Sequence, residues 1–546
     1  MSSSPADAQS TTLPNPPLSF KTDYFGYSAS VSPRVGFTDN LFLVPDGFED
    51  EGLEKESEII ASTVFVGNAI YSAPRFTGIA SALVDLSYLT DEDDFNVNQR
   101  VAGAGTFTLA ENIAYFDVSG SSSRQLVGDN APFSQNPNAA RNLQTNVQTF
   151  AVSPYLSRQF SDNALGEIRY RFSQVFIDET APNNLAGLLN DSRTQELSGS
   201  YNTGNKLGPL QLGVSAYGAR TEEFGSSEAL EFDFEQGTLL AEAAYALTSK
   251  FSLTGAIGVD EIRAESDTIG AEALNTFIPT EELSGFFWRA GFRYRPGRRT
   301  DILAEFTQRY GDEFINAVIT YDVSSRLRFE ARAGREFVTR AQTVGSQFGL
   351  AQRSVLEFAN DLRLGNASSP EGVLQDAIRF NQRLNNAQVI GVGARNFAGA
   401  TLVGFYDRTV FNLSVNYSDD EFGFRDIETI GGDMLVERRL SRKVTGYAGG
   451  FYRFADTSVD TGLCIENPAF FGIDTTLTGF NSTDVCTDLA SVNGKTNTVG
   501  GRIGGRYQIY KNVSAFAEYL RTSRFSELDR LEFDENLVQA GFTLDF

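Results

Sequence analysis

Apolar and polar residues alternate with a period of two along most of the chain, in blocks separated by polar connections. In residues 167–173, Ile168, Tyr170 and Phe172 take one side, and Glu167, Arg169, Arg171 and Ser173 take the other. In residues 288–295, Trp288, Phe292 and Tyr294 stand against Arg289, Arg293 and Arg295. Arg328, Glu330 and Arg332 oppose Phe329, Ala331 and Ala333; Phe411, Leu413, Val415 and Tyr417 oppose Asn412, Ser414 and Asn416. The final block sets Val538, Ala540, Phe542, Leu544 and Phe546 against Gln539, Gly541, Thr543 and Asp545. This period marks a β-strand with one apolar face. The blocks run roughly 9 to 15 residues, enough for a tilted strand to cross an apolar layer of roughly 25 Å. Strands of soluble sandwiches average only about 5 to 6 residues. Arginine and glutamate on the second face point to a wet interior rather than a packed core. The pattern predicts an all-β fold, a transmembrane antiparallel up-and-down β-barrel of about 22 strands (about 18–24).

The connections predict the topology. Short ones, at 72–74, 109–112, 161–163, 248–250, 295–299 and 324–326, alternate with long ones at about 40–57, 124–143, 178–193, 264–284, 340–393 and 457–494. Tight turns on one side and long loops on the other are the barrel arrangement, with the turns periplasmic and the loops extracellular. An even strand count then places both termini in the periplasm. Residues 1–24 are rich in Ser, Pro, Ala and Asn and read as a disordered periplasmic tail, with the barrel occupying 25–546. Residues 387–410 read equally as strand or loop. Within 340–390 the period changes: Val355, Phe358 and Leu362, and again Val373, Ala377 and Phe380, follow three- and four-residue spacing. Two short amphipathic helices are expected there, either folded into the lumen or capping the rim. No globular plug is expected ahead of the first strand. Residues 1–7 have neither the basic nor the apolar region of a secretory signal, so the numbering is expected to begin at a mature or engineered start.

Composition narrows the chemistry. With 45 Lys+Arg against 70 Asp+Glu the formal net charge is −25, which excludes a nucleic-acid partner. No apolar run reaches the roughly 18 residues that a membrane-spanning helix requires. Histidine is absent, which removes Ser–His and other imidazole-dependent catalysis; the chain is read as a non-enzyme without catalytic residues, cofactor or metal site. The acidic runs at 46–51 and 91–94 read either as carboxylates sharing divalent cations with lipopolysaccharide phosphates or as solvated loop tips. The two cysteines, Cys464 and Cys486, share one long polar connection and are expected to close a disulfide loop within 457–494 in an oxidising compartment.

The polar faces supply the candidate lumen residues: Arg169, Arg171, Arg289, Arg293, Arg295, Arg328, Arg332, Arg502 and Arg506, against Glu167, Glu242, Glu305, Glu330, Glu437 and Glu518. Two uses are open. The charges either brace the wall as an ion-pair lattice, or they line a water-filled channel and tune the passage of solutes. The arginines near 289–295 and 328–332 form a potential positive ladder for anionic sugars or small acids.

Two ends of the chain carry a family likeness. The terminal Phe546 resembles the final aromatic that the barrel assembly machinery recognises in outer-membrane proteins. A first strand running through Tyr27 to Thr38-Asp39-Asn40, followed by a polar loop and a barrel of this length, resembles the β-barrel porin 2 family. That resemblance implies a bacterial outer-membrane barrel in contact with lipid and lipopolysaccharide, of a kind linked to exopolysaccharide or surface-sorting systems. The leading expectation is a porin-like channel for polar solutes, carbohydrate or exopolysaccharide included. The alternative is a structural or adhesive surface barrel whose acidic loops bind matrix, surface layer or polysaccharide without conduction.

Overall fold

The computed structural model describes residues 24–45, 55–126, 134–139, 144–160, 163–178, 191–224, 233–265, 280–338, 393–421, 425–459, 465 and 494–546. The predicted tail, the helical reading of 340–390, the acidic run at 46–51 and the Cys464–Cys486 disulfide lie outside the described residues.

Twenty-two strands form one sheet. The first eight are β1 (Tyr24–Thr38), β2 (Glu58–Ala73), β3 (Phe76–Leu89), β4 (Asp94–Ala110), β5 (Ala114–Leu126), β6 (Gln144–Gln159), β7 (Leu165–Ile177) and β8 (Asp191–Asn202). Next come β9 (Leu210–Phe224), β10 (Asp233–Ala246), β11 (Phe251–Glu265), β12 (Gly285–Gly297), β13 (Thr300–Arg309), β14 (Asp312–Ser324) and β15 (Leu327–Val338). The remainder are β16 (Gly393–Tyr406), β17 (Thr409–Glu421), β18 (Arg425–Arg439), β19 (Val444–Val459), β20 (Gly494–Tyr510), β21 (Val513–Ser526) and β22 (Phe533–Asp545). The stretch 387–410, ambiguous in sequence, carries β16.

Each strand pairs antiparallel with the next, and β22 pairs with β1 from Leu537↔Thr38 to Asp545↔Ser30. Phe546 closes the seam by donating its backbone N–H to the Ala29 carbonyl at 2.8 Å. No strand edge is left open, so every ladder hydrogen bond is made within the wall, as an apolar layer demands.

The outward face follows the predicted alternation. Ile168, Phe292, Leu413, Val415, Val538, Phe542 and Phe546 are all exposed, as are Ile257 and Ile503. Exposed apolar side chains on twenty of the strands make the lipid-facing belt, with partly exposed ones on β5 and β15. Near the short-turn end the belt becomes an aromatic ribbon: Phe25 meets Tyr27 and Tyr71, Tyr71 meets Phe76, and Phe76 meets Phe107 with ring centroids 4.4 Å apart. Such girdles sit where the hydrocarbon gives way to headgroups. The Phe76 ring also covers Gly78 and Gly105, where an added Cβ would come within 2.6 Å of it. Glycine beneath a cross-strand aromatic lets the ring lie flat on a curved sheet.

The connections alternate as expected at one end, where two-residue turns such as 74–75, 298–299 and 325–326 occur. The other end departs from the rule three times, one of them the β17–β18 link of residues 422–424. β3 and β4 are joined by residues 90–93 alone, and β13 and β14 by Tyr310-Gly311, both at positive φ (57° and 79°). The β3–β4 turn is held from the side: Glu58 accepts from the Thr90 backbone N–H at 2.5 Å and from the Asp91 N–H at 3.1 Å. The acidic residues 91–93 are thus a tight tip on the long-loop side. A one-turn helix, α1 (Thr280–Leu283), precedes β12.

Candidate functional site in the barrel lumen

A barrel of about 22 strands is too wide for wall side chains to fill, so what lines the lumen decides what it does. The inward face divides into three sectors.

The first sector, β5 to β13, is an ion-pair lattice. Arg169 bonds Asp117 at 2.8 Å and Glu167 at 3.0 Å, with its guanidinium 3.7 Å from the Tyr155 ring centroid. Arg171 lies 3.5 Å from Glu196, which also accepts from the Tyr217 hydroxyl at 2.8 Å. Arg289 sits between Glu242 at 3.0 Å and Glu305 at 3.6 Å. Arg293 and Arg295 share Asp301, Arg293 donating from Nε at 2.8 Å and Arg295 pairing at 3.0 Å. Nearer the long-loop end, Arg309 makes a two-pronged contact with Asp260 at 2.5 and 2.7 Å, beside the Phe287 ring. The positive ladder suggested at 289–295 is therefore neutralised by carboxylates from neighbouring strands. Asp117, Glu196, Asp260, Asp301 and Arg309 were missed by sequence reasoning. Their charge was visible, but their partners depend on strand register.

The second sector, β14 to β20, is more open, with Asp420 buried in a pair with Arg395 at its long-loop end. Arg328 pairs with Glu330 at 2.7 Å, so the ladder at 328–332 is half neutralised as well. Arg332, Glu437, Arg502 and Arg506 have no ion pair among the described residues. Arg332, Asn416, Asp433 and Arg506 are exposed on the inward face, whereas Glu167, Arg289 and Glu305 of the first sector are buried. Aromatics here lie against the wall: Phe451 covers Gly500 and Tyr447 covers Gly504.

The third sector, around β22 and β1 to β4, is occupied at the long-loop end by two inward segments. Residues 40–44 place Leu41 against the inward Ile60 and Leu89. Residues 134–139 span from β4 to β22 across the intervening strands. Asn138 accepts from Asn96 at 2.8 Å, the Pro137 carbonyl accepts from Asn98 at 3.3 Å, and Asn136 donates to Glu535 at 2.8 Å. Ala139 closes a small apolar cluster with Leu43 and Phe533. One side of the mouth is thereby narrowed by loops other than the predicted 340–390. The available signal was the turn-prone Asn136-Pro137-Asn138 run, which indicates a bend but not its direction.

The Thr38-Asp39-Asn40 triplet sits at the junction of this sector with the closing seam. Asp39 accepts from the Asn536 backbone N–H and side-chain amide, both at 2.7 Å. Thr38 donates to Glu535 at 3.2 Å. Asn40 is fully buried; its amide donates to the Val44 and Asp534 carbonyls at 2.9 and 3.0 Å, and its oxygen accepts from the Val44 N–H at 2.8 Å. The triplet joins the first loop to the last strand. Replacing Asn40 with alanine strands buried backbone groups, each costing about 1–3 kcal/mol. The expected result is a lower unfolding midpoint of the heat-resistant barrel band on gels, with faster proteolysis in the β1–β2 connection.

No family model matches the sequence, and no curated protein matches it. Similar solved structures include a variant of the ferric enterobactin receptor PfeA from Pseudomonas aeruginosa, at 10% identity and a TM-score of 0.44, covering 95% of this chain and 80% of that one. The ferric-catecholate import receptor Fiu from E. coli K12 stands at 10% and 0.44, over 95% and 82%. The siderophore receptor PirA from Acinetobacter baumannii stands at 8% and 0.46, over 95% and 80%. At this distance the likeness concerns barrel architecture alone.

Proposed function

We propose that the protein is a bacterial outer-membrane channel for polar solutes, carbohydrate among them, with the short turns and both chain termini in the periplasm. Solutes pass along the β14–β20 side of the lumen. The observation that carries this reading is the contrast in exposure: Arg332, Asn416, Asp433 and Arg506 on the inward face of β15–β20 are open to solvent. Glu167, Arg289 and Glu305 of β5–β13 are buried in ion pairs, and the mouth above β1–β4 is occupied by residues 40–44 and 134–139. Fixed charges of both signs on an open polar wall favour hydrated solutes over apolar ones.

The test is conductance in planar bilayers. The full chain is expected to give stable open levels. In a background with Cys464 and Cys486 replaced by serine, Asn416→Cys should let a charged thiol reagent cut the open current, while Glu305→Cys should not. Folded, inserted protein without open levels would overturn the channel and favour the surface-binding barrel.

A further inference from the structure

The open sector contains one place where uncompensated cations surround an aromatic surface. Strand register sets it out. On β19 and β20, Tyr447 is opposite Gly504, Gly449 is opposite Arg502, and Thr445 is opposite Arg506. The two arginines therefore flank the tyrosine, one residue pair above and one below on the inward face, each roughly 7 Å along the strand. The Tyr447 ring lies down on Gly504; a Cβ at that glycine would come within 2.5 Å of the ring. Its hydroxyl donates to one oxygen of Glu518 at 3.1 Å, and Gln539 donates to the other oxygen. Glu518 is thus held by two neutral donors. Arg502 lies beside Gly449, where an added Cβ would be 3.4 Å from its Nε.

We infer that Arg502, Tyr447 and Arg506 form a solute-binding subsite for a carboxylate-bearing sugar ring. The inference rests on the channel reading and names the class of solute it favours. Guanidinium groups without a carboxylate of their own take one from solution in fork geometry. The face of Tyr447 turned away from Gly504 is an apolar platform fixed at both ends, suited to the apolar side of a pyranose. Glu437 on β18 stands opposite Tyr447 and Glu518 on β21 stands opposite Gly504, so a carboxylate is repelled on both sides and confined to the arginines of β20. Gly504 lets the Tyr447 ring lie flat against the wall, which leaves the other face of the ring to the lumen.

The experiment uses the full chain in detergent micelles and in bilayers, with glucuronate, glucose and acetate as probes. Glucuronate is expected to bind in saturation-transfer NMR and to interrupt the open current, with glucose and acetate at least about tenfold weaker. The Arg502→Gln/Arg506→Gln pair and, separately, Tyr447→Leu should each weaken glucuronate by about tenfold or more. Tyr447→Phe should retain binding, since it keeps the platform. Each variant is first checked for the heat-resistant barrel band, and Arg502→Lys/Arg506→Lys serves where the glutamine pair does not fold; lysine should restore charge but not fork geometry and give intermediate affinity. Equal binding of acetate and glucuronate would overturn the sugar-ring assignment in favour of a simple anion site. Conductance without glucuronate binding would overturn the subsite and leave the channel standing. Binding without conductance would sustain the subsite and sink the channel.

Discussion

Replacing Arg309 with methionine is expected to destabilise the barrel by about 3–5 kcal/mol, the cost of leaving one member of a buried ion pair without its partner. Both Arg309 and Asp260 are about as buried as any charges in the wall, their side chains each 2% exposed. The carboxylate receives two guanidinium bonds and a third from the Thr238 hydroxyl at 2.7 Å. Methionine fills much of the space against Phe287 and Tyr310, whose ring centroids lie 4.3 and 4.6 Å from the guanidinium carbon. The loss is therefore mostly the stranded charge of Asp260 and not a cavity. That attribution has its own check: Arg309→Met combined with Asp260→Leu should recover most of the stability, because an apolar pair of similar volume often replaces a buried ion pair at little cost. Urea unfolding of the barrel in lipid vesicles measures both. A double variant as unstable as the single one would mean that packing against the aromatic rings, rather than the carboxylate, accounts for the arginine.

The wall was legible because its signal is local. Alternation in residues 167–173 or 288–295 needs only neighbouring residues, and lipid on one side with water on the other enforces it along each strand. The strand count followed from turn chemistry of the same short range. Pairing was not legible. Arg293 and Asp301 are brought together by the tight β12–β13 turn and were within reach, but Arg169 finds Asp117 two strands away, and Arg309 finds Asp260 likewise. Those contacts depend on register, which alternation constrains only to within an even number of residues. Hence the same list of arginines supported both a positive ladder and a braced wall, and the structure places most of them in the wall. The seam carries a related lesson. Asp39 and Asn40 stood out only by resemblance, yet their partners Asn536 and Asp534 are nearly five hundred residues away, joined by closure of the sheet. Direction of loop folding was equally out of reach, since the contacts of Asn136 and Asn138 lie on strands that no local pattern connects.

Ile503→Arg is expected to hinder folding into bilayers by about 2–4 kcal/mol, the penalty for an arginine facing lipid near the midplane of a transmembrane barrel. Ile503 lies near the centre of β20 and is 62% exposed on the outward face. The flanking outward residues, Val499 and Tyr507, are also exposed and apolar, so an arginine has no nearby carboxylate to meet on that side. Its neighbour gives the control. Arg502 differs from Ile503 by one position and faces water, so Arg502→Ile should leave the free energy of insertion within about 1 kcal/mol, since substitutions away from buried partners seldom cost more. The two variants exchange the same two side chains between adjacent residues of one strand, which removes strand propensity and size as explanations. Reversible folding into vesicles, followed by the shift to the heat-resistant band, reads the difference directly. Comparable losses in both would mean that β20 does not divide lipid from lumen at this height, and the inward assignment of Arg506 would fail with it. A loss confined to Ile503 fixes the facing of β20, and with it the side of the wall on which Arg502, Tyr447 and Arg506 meet a solute.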